Sequence, residues 1–382
     1  MKNKNNWTAS TIGELFEVTN GKTNTDEAVL NGKYPLFDRS IEIKYSDKFL
    51  FDTEAVILPG EGKDFIPRYY IGKFDLHQRA YAIFPKSKID LSLKFLYYWM
   101  LYKSQYLTKM AVGSTVKSLR LYMLKNFPLE FPDHKSQEKI TNFFELIDKK
   151  LAKADQIIQK TETLKQGLML ELLTKGLGHK KFKKTKIGEI PDEWEVMSVG
   201  QICDCIVPGR NKPKIFNGDI PWITIPNIQD SRIQYNEATK YVSRQELKNC
   251  GNKIIPANSV IMSCVGDFGI VAVTDREIAI NQQLHAFLPS SKLDQNFLKF
   301  SLILQKDFME NLATKTSVPY LNKTSCNSIP IAKPSLEEQR KIGTILFSID
   351  HKILIEKMNK EKLQILKKGL MQDIFSQKVK IN

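Results

Sequence analysis

The chain has 382 residues, 42% of them hydrophobic, which is too long for one small domain and too apolar for a disordered chain. Lysine and arginine outnumber the acids 57 to 42, a net charge of +15, so the surface is expected to attract polyanions, nucleic acid first among them. No stretch reaches the length of an apolar membrane span and the polar start offers no apolar signal region, so a cytoplasmic protein is expected.

In chain order, residues 1–134 mix short β-type runs with turns. Ala55–Leu58, Arg68–Ile71 and Ala80–Phe84 read as strands, broken by Pro59-Gly60 and Gly62. An aromatic-rich helix is predicted from Leu93 to Leu107. Residues 135–178 change pattern. Ile140, Phe143, Phe144, Ile147, Leu151, Ala154, Ile158, Thr161, Leu164, Leu168 and Leu172 step by threes and fours, with no proline in between. This predicts one long amphipathic helix, started near Pro132-Asp133 and stopped at Gly176-Leu177-Gly178. The basic run His179–Lys186 reads as a solvated linker, with a phosphate contact as the functional alternative. Residues 179–335 hold this linker and a second globule. Residues 336–382 hold a second long helix with Ile342, Ile345, Leu346, Ile349, Ile353, Leu363, Leu366, Leu370 and Ile374 on one stripe, and a short tail.

The second half repeats the first. Leu164-Lys165-Gln166-Gly167-Leu168-Met169 returns as Leu366-Lys367-Lys368-Gly369-Leu370-Met371, an offset of 202. The same offset carries Pro128, Pro132, Gln137, Ile147 and Asp148 onto Pro330, Pro334, Gln339, Ile349 and Asp350. Trp7 and Gly13 answer to Trp194 and Gly200, Gly21 to Gly209, and Gln78 to Gln282. Between these landmarks the halves differ freely. One fold is therefore used twice, in a pseudo-two-fold arrangement. The fold class is α+β: two mixed α/β domains separated by two long helices, which are expected to form an antiparallel coiled coil. The matched Gln78 and Gln282 suggest a shared structural bond rather than two different readings.

Recognisable catalytic chemistry is absent from the sequence. There is no Gly-x-x-x-x-Gly-Lys-Ser/Thr loop, no Gly-x-Gly-x-x-Gly turn and no His-x-x-x-His pair. Pro191-Asp192-Glu193-Trp194 resembles part of a nuclease motif, but its setting before a repeat start favours turn chemistry. The five cysteines, Cys203, Cys205, Cys250, Cys264 and Cys326, fit no zinc spacing and read as reduced, buried thiols.

Several segments closely resemble the specificity subunits of type I restriction-modification systems. These are Thr174–His179 followed by Ile187–Val196, then Gly218–Ile223, Glu337–Ile342 and Gly113–Leu119. The second copy of the last segment, Thr314–Leu321, lacks the glycine. The resemblance spans essentially the whole chain. It implies two target recognition domains, each reading one half of a split, asymmetric site in double-stranded DNA. It implies helices that set the spacing and dock two modification (methyltransferase) subunits, which recruit restriction (motor-nuclease) subunits. It also implies a non-catalytic chain, with AdoMet, ATP and magnesium held by the partners.

On that basis basic side chains anchor phosphates, and donors and acceptors in the variable loops read base edges. The candidates in the first domain are Lys22, Arg39, Lys63, Arg68, Lys73, Arg79 and Lys117. Those in the second are Arg210, Lys212, Lys214, Asn227, Arg232 and Asp267. Ile157 and Ile355 lie off the main apolar stripe and are the candidates for subunit contact. The rival classes are a DNA-acting enzyme with a degenerate active site and a scaffold that binds protein only.

Overall fold

A computed structural model describes residues 7–86, 91–209, 211–236 and 239–379. It divides into two compact units, residues 1–155 with 358–382, and residues 156–357. The two long helices, His134–Lys175 and Leu336–Phe375, each give one part to each unit.

In the first unit, Thr8–Thr11 pairs antiparallel with Pro128–Phe131 at the globule's chain ends. The main sheet has six strands, in the order Phe16–Asn20, Ala80–Pro85, Phe51–Pro59, Arg68–Leu76, Tyr34–Phe37, Lys44–Ser46. All its pairs are antiparallel except Tyr34–Phe37 against Arg68–Leu76. The period of two decides its faces. Val56 and Leu58 enter the main core with helix Leu93–Tyr102, while Ala55 and Ile57 meet Phe37, Phe74 and Leu76 on the other side. The single helix expected over Leu93–Leu107 breaks at Lys103, whose ψ of 10° leaves the helical range. The turn lets Tyr102 stack on Phe375 and still buries Leu107. Phe375, near the end of the second long helix, also stacks on Phe144 and meets Trp99 and Phe95 edge-on, all within 6 Å.

The second unit repeats this frame with interruptions. Glu195–Ser198 pairs with Pro330–Lys333. A four-stranded sheet runs Cys205–Ile206, Leu284–Phe287, Val260–Ser263, Val271–Val273. A three-stranded one runs Lys240–Val242, Ile220–Ile223, Ala279–Ile280. Arg68–Leu76 is continuous in the first unit, pairing with Phe51–Pro59 and in parallel with Tyr34–Phe37. Its counterpart is cut into Val271–Val273 and Ala279–Ile280, so one sheet becomes two. The connection between Ile220–Ile223 and Lys240–Val242 is also longer, and carries a small hairpin of Ile228–Gln229 with Arg232–Ile233.

The repeat extends to single hydrogen bonds. Gln137, fully buried, donates to Pro132 O and accepts from Ser92 N–H at 3.0 Å. Gln339 does the same with Pro334 O and Asp294 N–H. Within each unit the long-helix parts run antiparallel. Lys360 meets Asp155 and Lys367 meets Asp148 in the first, and Lys165 meets Asp350 in the second.

The structure corrects four expectations. Phe143, Leu164, Ile345 and Leu366 leave the apolar stripe and are 38%, 55%, 37% and 53% exposed. The run His179–Lys186 is no plain linker. Phe182–Thr185 pairs with Gly188–Pro191, and His179 Nε2 sits 2.9 Å from Glu338 Oε1, whose other oxygen accepts from Trp194 Nε1. The missing glycine of Thr314–Leu321 is replaced by local bonding. Gly113 closes its turn at φ +120°; the bond across the turn is shared, Val112 N–H to Ser118 O and Thr314 N–H to Tyr320 O, and the second copy adds the Thr316 hydroxyl to Val318 O and Tyr320 N–H to the Thr314 hydroxyl. All five cysteines are free, but Cys205 and Cys250 are only half-buried. Burial pushes the thiols of Cys203 and Cys264 up to about 12 and that of Cys205 to about 11. Trp194 N–H bonds Pro191 O, so Pro191–Trp194 is a turn.

Candidate nucleic-acid interface

Each unit carries its polar cleft at the same place in the repeat. In the first unit the turn from Leu76 to Ala80 is laced to the loop after Phe16–Asn20. Lys22 and Thr23 N–H both bond Leu76 O, Gln78 N–H bonds Thr23 O, and Gln78 Nε2 donates to Asn24 Oδ1. Gly21 is required there, since a Cβ would lie 1.9 Å from Leu76 O. The cleft of about 220 Å³ is lined by Thr25, Arg39, Glu61, His77, Gln78 and Arg79. One Arg79 nitrogen, Nη1, donates to both Glu61 oxygens at 2.9 Å. Burial lowers the His77 pKa, with Asp38 opposing, so its imidazole is neutral near pH 7 and Nδ1 accepts from Arg79 N–H. Burial also presses on the Asp38 carboxyl, but hydrogen bonds from Lys44 and Ser40 outweigh it and hold that carboxyl below its ordinary value.

In the second unit the equivalent turn is Asn281-Gln282-Gln283. Gln282 Nε2 reaches Gly209 O at 3.4 Å. The cleft is larger, about 500 Å³, and is lined by Gly209, Asn211, Lys212, Trp222, Thr224, Asn227, Lys240, Asn281, Gln282 and Gln283. Asn227 Oδ1 accepts from both the N–H and the hydroxyl of Thr224. Asn281 Nδ2 donates to Gln283 Oε1, and Gln283 N–H donates back to Asn281 Oδ1.

The candidates named from sequence fall into three groups. Arg39 and Arg79 line the first cleft, and Lys212 and Asn227 the second. Lys22, Lys63, Lys117, Lys214 and Asp267 are exposed nearby or on adjoining loops, with Lys117 beside Gly62 in a short strand pair. Lys73 is exposed over the Phe49 ring. Two turn inward instead. Arg68 donates to Ser40 O and Ile41 O and lies over Phe37, holding the loop after Tyr34–Phe37. Arg232 lies 6.0 Å from the Phe347 ring centroid, 3.5 Å from His351 Nδ1. Arg210 lies outside the described residues. Ile355 is 42% exposed, while Ile157 is half-buried. Sequence reasoning missed Glu61, His77, Asn211, Lys240, Asn281 and Gln283. The signal was present for three of them, as the flanks of the matched Gln78 and Gln282.

Among the described residues no group of three or more His, Cys, Asp or Glu could hold a metal, and no helix is long and apolar enough to cross a membrane. The clefts offer hydrogen-bond donors, acceptors and cations on exposed turns. Two such domains joined by paired helices define a duplicated recognition protein.

A family model described as the type I restriction modification DNA specificity domain matches residues 4–163 and again 191–365. The chain belongs to this family: it is a specificity subunit, the non-catalytic DNA-recognition component of a type I system. It is 25% identical to the type I restriction enzyme MjaVIII specificity subunit of Methanocaldococcus jannaschii, covering 98% of this chain and 93% of the relative. It is 24% identical to the EcoDI specificity subunit of Escherichia coli, covering 88% and 79%. In fold it matches the crystal structure of a type I S subunit from M. genitalium, with a TM-score of 0.67, 19% identity and coverage of 97% and 96%.

Proposed function

We propose that this chain reads a split, asymmetric target in double-stranded DNA, one half with each domain, and docks two modification subunits that in turn recruit restriction subunits. The paired helices set the distance between the half-sites. AdoMet, ATP and magnesium are held by those partners.

The observation that carries this reading is the matched pair of clefts. The same turn, anchored by the same glutamine, is flanked by His77 and Arg79 in one unit and by Asn281 and Gln283 in the other. A shared frame with different donors and acceptors is what reading two different sequences needs. Lys212, which lines the second cleft, and the exposed Lys22, Lys63, Lys73, Lys117 and Lys214 serve as phosphate anchors, whose contribution falls steeply with salt. The relatives' names place them in restriction enzymes as specificity subunits. A structural neighbour with a TM-score of 0.58 and 14% identity comes from work on complex assembly of the type I system.

The test is co-expression with the adjacent modification subunit and mapping of methylated adenines by long-read sequencing. The expected result is a two-part motif that disappears when this chain is omitted. A stable complex that methylates without this chain, or at a continuous site, overturns the reading.

A further inference from the structure

The two clefts differ in chemistry at one matched position. Arg79 and Gln283 both follow the shared glutamine, and both stand on the turn that ends at the strand next to the sheet centre. The shared Gln78 and Gln282 bind their turns to the neighbouring loops, which fixes the backbone on either side. The residue after each glutamine is exposed.

Arg79 engages Glu61 through Nη1 alone, and its Nη2 and Nε take no hydrogen bond among the described residues. An arginine fork pairs with the O6 and N7 acceptors of guanine, and a carboxylate accepts from N4 of cytosine. The Arg79–Glu61 couple therefore carries the complement of a whole G·C pair. Gln283 differs in kind. Its Oε1 accepts one bond from Asn281 and has a second lone pair, and its Nε2 takes no hydrogen bond among the described residues. A carboxamide with both ends available pairs with N6 and N7 of adenine. Asn227 lacks this capacity, because its carbonyl already accepts two bonds from Thr224. The described lining of the second cleft holds no guanidinium and no carboxylate, whereas the first holds two arginines and Glu61.

We infer that Arg79 and Gln283 are matched specificity-determining residues, Arg79 selecting a G·C pair in the half-site of the first domain and Gln283 an A·T pair in that of the second. This rests on the DNA-reading function proposed above.

The experiment exchanges the two side chains, Arg79→Gln and Gln283→Arg, in the complex with the modification subunit. Binding is selected from a randomised DNA library and compared with the unmodified chain. Both residues are exposed, so the exchanges leave the fold intact, and complex formation is checked directly. The expected result is a preference switched by roughly ten-fold or more at one base pair in one half-site, with the other half unchanged. Arg79→Gln moves a G·C position towards A·T, and Gln283→Arg does the reverse in the other half. Equal weakening on all sequences marks a phosphate contact and overturns the inference. So does an unchanged preference, or a change in both halves. A library that yields no two-part motif with the unmodified chain overturns the proposed function itself, and that outcome is told apart because it precedes any substitution.

Discussion

At the joint between globule and long helices the first unit places Asp148, and the second places Asp350 at the matched position. Asp148 accepts from the Tyr98 hydroxyl at 2.8 Å and pairs with Lys367. Asp350 pairs with two ammonium groups, Lys299 at 2.7 Å and Lys165 at 2.6 Å. Lys165 and Lys367 are themselves matched by the repeat offset of 202. The third member is therefore what differs, a neutral phenol in one unit and a second cation in the other. Burial differs too. The Lys299 and Asp350 side chains are 5% and 7% exposed, whereas Asp148 is 34% exposed. Burial drives the Lys299 pKa down, and Asp350 opposes it. A duplicated joint thus keeps one ion pair and lets its surroundings diverge, and the second unit depends more on its carboxylate.

The largest expected effect follows from that dependence. Asp350→Ala leaves Lys299 buried without a counter-ion and is expected to cost about 3–5 kcal/mol. Asp148→Ala removes a part-exposed pair and one phenol hydrogen bond, roughly 1–2 kcal/mol. Denaturant unfolding of the two variants measures both. Replacing the pair together, as Asp350→Leu with Lys299→Met, is expected to recover much of the loss, because no charge is then stranded. Equal costs for Asp350→Ala and Asp148→Ala would break the comparison.

A second asymmetry lies in the sheets. His285 occupies the position matched to Tyr81, whose hydroxyl donates to Leu119 O. His285 is 3% exposed and its Nδ1 has no partner among the described residues. Burial lowers its pKa to about 4, with Lys323 adding to the effect. In the unfolded chain the value is about 6.5. Between these values the unfolded state binds a proton that the folded state refuses, so stability rises with pH across that window. The contribution is complete above pH 6.5 and is lost as pH falls to about 4, on the order of 3 kcal/mol in all. Denaturation midpoints between pH 4 and 7 are expected to flatten in His285→Phe. An unchanged slope would remove this residue from the account.

Much of the architecture was legible because duplication leaves a register. The offset of 202 located both long helices, the buried glutamines and the ion-paired aspartates before any fold was known. Antiparallel pairing followed from the duplication, since a two-fold axis reverses one copy. Side-chain direction was not legible. Arg68 and Arg232 looked like free cations, yet one holds a loop and the other lies against Phe347, since sequence shows charge but not what it faces. Lys299 sits in the apolar run Phe297–Leu302, and only tertiary contact shows that it meets Asp350. The second sheet was unreadable as two sheets, because residues 274–278, which match 70–74 without any change in length, interrupt pairing without breaking the apolar pattern on either side.

The smallest expected effect concerns the four apolar side chains that left the stripe. Periodicity identifies residues sharing a helix face, but not whether that face meets this chain or another. The exposed residues form two matched pairs: Phe143 answers to Ile345, and Leu164 to Leu366. The first unit holds Phe143 and Leu366, and the second holds Leu164 and Ile345. An ordinary surface leucine needs no explanation, but exposure recurring at both copies of two positions is what two identical partners would use. Under the docking of two modification subunits proposed above, Phe143→Ser with Leu366→Ser is expected to weaken one site by about 1–2 kcal/mol, roughly ten-fold, and Leu164→Ser with Ile345→Ser the other. Titration of the modification subunit is then expected to show two equal sites becoming one strong and one weak. The fold itself is expected to change by about 0.5 kcal/mol or less, because the removed atoms already face water. If both sites keep their affinity, docking lies elsewhere on the helices, with the exposed Ile355 the next position to replace.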